Sequence, residues 1–233
     1  MTDHDSGCRQ AVSWTRRFAA WRLALAAAAC GAFLHNGSVA AEPKSPPPAN
    51  PLVACELFPL TAGHEWTYKS GPLEVIERVT RHEKVGNELC ARIETIYNGD
   101  VVAYEHVAVR KDGLYRVAIS GKPVEPPLRF LKLPATKGST WSVESAIVGQ
   151  TVKGNFAISE SSVTIGDKEL PVVVVEGKDF TAGKSKLSFT YYFAPNVGKV
   201  KQVVVANGQE TVLELTGLPH PAEPAAAPEV REL

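Results

Sequence analysis

The sequence predicts an all-β domain, an antiparallel meander of about nine to eleven strands forming a curved sheet, half-barrel or open barrel, with disordered N- and C-terminal segments. Three observations predict it. Turn signals recur about every ten to fifteen residues: Ser70-Gly71-Pro72, Gly86-Asn87, Asn98-Gly99-Asp100, Lys111-Asp112-Gly113, Lys137-Gly138, Gly166-Asp167 and Asn207-Gly208. The runs between them are rich in valine, threonine, isoleucine and tyrosine, and several alternate with period two. No internal stretch carries a helical period.

Residues 1–40 read as an export signal. Arg16, Arg17 and Arg22 give a basic leader, Leu23 to Leu34 an apolar run too short to span a bilayer, and Ser38-Val39-Ala40 a small-residue exit. Two exits compete. Cleavage after Ala40 releases a soluble protein, whereas Leu25, Ala28, Ala29 and Gly31 around Cys30 loosely resemble a lipobox, which would make Cys30 a lipidation site. Thr15-Arg16-Arg17-Phe18 is a weak twin-arginine signal, because the residues after the pair depart from the pattern. Either exit predicts export to the periplasm, outer envelope or extracellular space.

Residues 41–51 form a proline-rich tether, with five prolines between Glu42 and Pro51. The folded domain is expected over 52–217. Residues 218–233, LPHPAEPAAAPEVREL, read as a disordered tail. Within the domain, Leu89, Ala91 and Ile93 alternate with Cys90, Arg92 and Glu94, as Leu187, Phe189, Tyr191 and Phe193 do with Ser188, Thr190 and Tyr192, so each strand buries one face. Val172 to Val175 is a continuous apolar run, expected near the centre of a sheet. Gly121 to Gly138 holds four prolines and an apolar cluster of Leu128, Phe130, Leu131 and Leu133. Prolines argue against a central strand there, so it is expected to cross an end or face of the sheet as a packed plug or a lid.

The full chain has 25 basic and 25 acidic residues; without the first 40 it has 21 against 23. A formal charge of −2 gives no electrostatic case for nucleic acid or an anionic membrane, and a membrane is expected only through the signal or a lipid anchor. Loss of the leader removes Cys8 and Cys30 and leaves Cys55 and Cys90. In an oxidising compartment these are a candidate disulfide closing about 35 residues, for which chain entropy assigns roughly 3 to 4 kcal/mol; the other reading is two buried thiols.

Catalytic signatures fail on spacing or context. Gly177 to Ser185, GKDFTAGKS, ends like a phosphate-binding loop but has five residues between its glycines and runs into a strand, so it reads as a hairpin turn. His64, His82 and His106 each adjoin a glutamate, yet no short pairing holds them as metal ligands on one element. No Gly-x-Ser-x-Gly elbow occurs, and a carboxylate pair such as Glu94 with Glu105 depends on a separation that the sequence does not give. No catalytic, cofactor-binding or metal residue is therefore assigned, and no cofactor is expected. Aromatic and apolar residues offer a ligand face instead: Trp66, Leu128, Phe130, Leu131, Trp141 and Tyr192, with a filled β core as the plainer account.

Phe58-Pro59-Leu60-Thr61-Ala62-Gly63-His64-Glu65-Trp66-Thr67-Tyr68 resembles the F-P-L-x-x-G-x-x-W-x-Y opening of a family of uncharacterised bacterial exported proteins and lipoproteins. Tyr191 to Val200, YYFAPNVGKV, is similar to their closing Y-W-Y-A-P-G-V-G-x-V element, with Tyr192 where tryptophan is common and Asn196 where glycine is usual. Asp112-Gly113-Leu114-Tyr115, Pro126-Pro127-Leu128, Leu133-Pro134 and Gly138-Ser139-Thr140-Trp141 follow the same order between them. The resemblance covers residues 58 to 201 and implies a domain of unknown function, with no activity attached. Physically, Pro195, Asn196 and Gly198 suit a wide strand turn, against which Trp66 is expected to pack and close the sheet. The expected function is an exported, non-catalytic envelope module that binds an apolar small molecule or an envelope protein. An exported hydrolase and a purely structural envelope protein are the alternatives.

Overall fold

The computed structural model describes residues 55–219. The predicted leader with its exits at Ala40 and Cys30, the tether and the tail from residue 220 lie outside the described residues. Twelve strands follow one another there. The first six are β1 (Glu65–Ser70), β2 (Leu73–Val85), β3 (Glu88–Tyr97), β4 (Asp100–Arg110), β5 (Gly113–Ile119) and β6 (Lys122–Lys132). The second six are β7 (Thr140–Ile147), β8 (Gln150–Ile165), β9 (Lys168–Ala182), β10 (Ser185–Ala194), β11 (Gly198–Ala206) and β12 (Gln209–Leu215).

Each strand pairs antiparallel with its sequence neighbours, and β12 returns beside β1, so the meander closes into a barrel. This corrects the expected half-barrel or open barrel of fewer strands. Two hairpins were not legible as turns, Ser120-Gly121 and Val148-Gly149, whose paired positive φ values of 45° and 75°, and 50° and 75°, belong to tight hairpin turns. The turns at Asn98-Gly99 and Asn207-Gly208 have the same form with the residue types that favour it.

Closure rests on two narrow seams that divide the barrel into two six-stranded sheets. At the first, β6 pairs with β7 only through Val124 with Ile147 and Glu125 with Ala146. At the second, β1 pairs with β12 through Tyr68 with Leu215 and Lys69 with Glu214, extended by Thr216 N–H donating to Thr67 O at 2.9 Å. A tryptophan clasps each seam where its ladder has stopped. The Trp141 indole N–H donates to Arg129 O at 2.9 Å, and the Trp66 indole N–H donates to Val197 O at 2.7 Å, with Tyr68 Oη donating to Lys199 O at 2.7 Å beside it.

The first seam explains why prolines are tolerated in β6. Pro126 and Pro127 follow the last residue paired to β7, so their missing N–H groups forfeit no ladder bond on that side. Gly121 to Gly138 is consequently a strand for most of its length, paired to β5 through two register shifts, and not an irregular plug. Leu128, Phe130 and Leu131 are inward side chains of that strand. The barrel end is plugged instead by the chain entering β1: Cys55, Phe58 and Leu60 are buried in the core. Phe58 meets Trp66 and Phe193 at ring centroid distances of 5.1 and 5.8 Å, Asn196 N–H donates to Glu56 O, and the His82 ring is 2.6 Å from Leu60 O.

Aromatic rings run through the interior from one clasp to the other. Trp141 stacks on Phe156 at 5.2 Å, followed by Phe180, Phe189, Tyr191, Phe193, Phe58 and Trp66 at successive centroid separations of 4.9 to 6.3 Å. Burying each such ring stabilises by roughly 2 to 3 kcal/mol, so this string supplies much of the core. On the outside, strand positions carry Glu65, Arg78, Glu94, Lys153 and Glu214, while most inward positions are apolar, His64, Glu77 and Thr95 being exceptions. That is the reverse of a barrel bathed in lipid.

Candidate functional site

The interior is where a carrier would hold cargo, and here it contains the chain's own side chains. Trp66, Leu128, Phe130, Leu131 and Trp141 are all buried in the main apolar cluster, so in this structure they pack the core; Tyr192 alone of the ligand-face candidates points outward, beside Lys201. A polar network crosses the same space. Lys199 Nζ lies 3.0 and 2.9 Å from the two Glu77 carboxylate oxygens and donates to Gln202 Oε1 at 2.8 Å. On the other sheet Arg116 binds Glu105, with Phe130 under its guanidinium. Burial alone would disfavour the Arg116 charge, but Glu105 and Tyr191 outweigh it and raise its pKa. Tyr191 is the register partner of Gln202, so the two ion pairs belong to one charge-balanced girder between the sheets.

Lys199 reaches that girder through a β-bulge. Tyr192 pairs with Lys201 but Phe193 with Lys199, so Val200 is the extra residue. The bulge sends Lys199 inward and leaves Lys201 outside on Glu214, although simple alternation would place both lysines on one face.

The three histidines do not converge. His64 is buried against the Trp66 ring at 4.5 Å, with no hydrogen-bond partner on Nε2; burial lowers its pKa. His82 holds Leu60 O, and His106 Nε2 is 2.6 Å from Glu83, not from its neighbour Glu105. Among the described residues no group of three or more His, Cys, Asp or Glu has the arrangement to hold a metal ion. Glu94 and Glu105 lie on opposite faces of the sheet, the first on Arg92 and the second on Arg116, so they do not form a carboxylate pair around a substrate. The Gly183-Lys184 segment of GKDFTAGKS turns from β9 into β10 as a hairpin.

The candidate disulfide does not form in this structure: Cys55 and Cys90 are both free and buried. Cys55 belongs to the main core, whereas Cys90 lies on the other face of β3 from Ala91 and Ile93, in a separate cluster with Ala108 and Val117. Burial raises both thiol pKa values, that of Cys90 to about 11 with a further contribution from Glu88.

That small outer cluster lies beneath a connected polar surface. Arg110 makes a two-pronged bond to Glu88, each contact 2.7 Å, and covers the Tyr115 ring at 4.1 Å. Asp112 accepts from both Tyr115 Oη and Arg129. Arg92 covers Tyr104 at 3.7 Å while bonding Glu94, and Glu83 binds Arg81 and His106. Burial pushes the Glu83 carboxyl up, but the hydrogen bonds from His106 and Arg81 outweigh it and leave its pKa lowered. All six arginines of the described residues, Arg78, Arg81, Arg92, Arg110, Arg116 and Arg129, lie on β2–β6, and residues 130–219 contain lysine but no arginine. This segregation was readable in the sequence, whereas the lattice it builds needed the strand register.

The second sheet carries surface grooves. One of about 360 Å³ is lined by Trp141 and Phe156 together with Ser142, Asn155, Glu176 and Lys178, so the ligand-face candidate Trp141 borders it; Ser142 donates to Asn155 and Lys178 pairs with Glu176. Those four polar groups are satisfied by one another.

No family model and no curated protein matches the sequence. Two solved structures are similar in part. One is a candidate lipoprotein from Parabacteroides distasonis, 13% identical, with a TM-score of 0.40 over 71% of this chain and 99% of the other. The second is a candidate exported protein with YmcC-like fold from Bacteroides fragilis, 11% identical, with a TM-score of 0.40 over 70% of this chain and 98% of the other.

Proposed function

We propose that this chain is an exported, non-catalytic module of the cell envelope that binds a partner protein through the arginine and tyrosine face of β2–β5. The leader and proline tether read from the sequence support export. The observation that carries the partner is the outer lattice itself. Arginine and tyrosine are the side chains that protein interfaces favour, and here they are held in place before binding by acidic partners and stacked rings, which lowers the entropy lost on docking. The balance of charges on that face fits a partner surface of mixed sign. Carriage of an apolar ligand inside the barrel is the weaker reading, because aromatic rings and the girder occupy the interior.

The test is cross-linking in the native cell from a photoreactive residue at Arg81, on the proposed face, and from one at Ser161 on the second sheet. One discrete protein adduct from position 81 and none from position 161 is expected. Equal labelling from both, or a stoichiometric lipid released in native mass spectrometry of the purified protein, would sink the proposal.

A further inference from the structure

The barrel has two unlike ends. Odd-numbered strands start at the end plugged by Cys55 to Gly63, and β12 runs back to it, so both termini leave from there. The far end is a crown of six hairpin tips. Of the four most exposed large apolar residues in the described chain, Val101, Val102 and Val148 belong to this crown, and Leu218 to the other end.

Val148 is the anomaly. The tight turns of the crown place a residue at positive φ before a glycine, and the chain uses Asn98, Ser120 and Asn207 for this but Val148 at φ 50° in the fourth. A β-branched side chain is a poor occupant of that conformation, and at 38% exposure Val148 recovers little packing for the strain. Its neighbours on either side of the barrel are basic. Next to the Val148-Gly149 tip stand the β5–β6 tip with Lys122 and the β9–β10 tip with Lys184 and Lys186, all exposed. Among the described residues none of the three forms an ion pair, whereas Lys178 and Lys201 further down the barrel do. Acids flank the tips: Glu125, Glu144 and Asp179 lie below them on the strands, Asp100 is on the tip beyond Lys122, and Glu210 is at the tip beyond Lys186.

We infer that these three tips form a contact point for an anionic phospholipid surface, with Val148 seated below the headgroups and Lys122, Lys184 and Lys186 on the phosphates. A planar surface fits better than a protein, since the exposed apolar side chain of these tips, Val148, stands on a protruding turn with cations on either side and makes no continuous patch. The site is local: it needs no excess of positive charge on the whole chain. It lies away from the β2–β5 face and stands or falls separately from the reading of that face.

The experiment is co-sedimentation of the full chain with vesicles of phosphatidylglycerol and phosphatidylethanolamine, and with vesicles of phosphatidylcholine alone. Wild type should bind the first and leave the second, and should be released by high salt. Val148→Asn restores a residue suited to the turn, so it should melt at a higher temperature than wild type and yet bind about tenfold more weakly. The triple variant Lys122→Glu, Lys184→Glu, Lys186→Glu should bind about a hundredfold more weakly, at roughly fivefold or more per lysine. Wild type that stays in the supernatant overturns the inference. So does equal binding by both variants, which would assign the interaction to the leader. A photoreactive residue at position 148 that labels a protein in cells, and no lipid, overturns it in favour of a protein partner.

Discussion

Gly198 and Trp66 occupy each other's space. Gly198 has φ 100°, and a Cβ there would lie 2.9 Å from the Trp66 indole nitrogen that binds Val197 O. Gly198→Ala should therefore be destabilising by more than about 2 kcal/mol, through backbone strain and loss of the clasp together, read as the shift in a urea midpoint. This contact was legible: the motif around Pro195, Asn196 and Gly198 predicted a wide turn with Trp66 against it. His64, packed against the same indole, was not legible as a core residue, because a histidine beside Glu65 reads as a polar strand position. Burial lowers its pKa below the ordinary 6.5, so the unfolded chain takes up its proton first as pH falls. Its contribution is complete above about pH 6.5 and is lost as pH drops through the folded value. His64→Phe should flatten stability between pH 7.5 and 5.5 relative to wild type; an unchanged slope would contradict this role.

At the scale of the element, irregularities hide from a periodic reading. Lys199 and Lys201 are two apart and should share a face; the extra residue Val200 separates them, and only the paired strand reveals it. Removing one partner of the buried pair, as in Lys199→Met, should cost about 3 to 5 kcal/mol because Glu77 keeps its charge without its cation. The double variant Glu77→Leu with Lys199→Met should recover most of that loss, measured by equilibrium unfolding. Prolines misled in the same region-by-region way. Those of β6 forbid a strand with ladders on both sides, and the strand exists because one of its ladders stops at Glu125.

The antiparallel meander of the whole molecule was written in its turns, but closure was not. It depends on β1 meeting β12, strands at opposite ends of the domain sequence with no local signal for each other. The same distance defeats the disulfide expectation: spacing allowed the bond, and the strand register put the thiols in separate clusters. Cys55 and Cys90 should react with a thiol reagent slowly in the folded protein and fast in urea, because both are buried and their pKa values are raised. A protein inert to the reagent even in urea, and reactive only after reduction, would restore the disulfide. Hydrogen exchange should also be uneven around the barrel. Amides of β7 that face β6 should exchange well before those between β8 and β9, whose ladder runs from Val152 to Ile165.

The chain has four tryptophans, and the two in its described residues are the two clasps. Intrinsic fluorescence of this domain is thus a pair of position-coded optical probes, one per seam, joined by a line of rings close enough for excitation to pass between them. In a protein without the leader and its Trp14 and Trp21, replacing either indole by phenylalanine leaves a single tryptophan whose colour and lifetime follow the opening of one seam alone, so the order in which the barrel comes apart can be timed without attaching a dye.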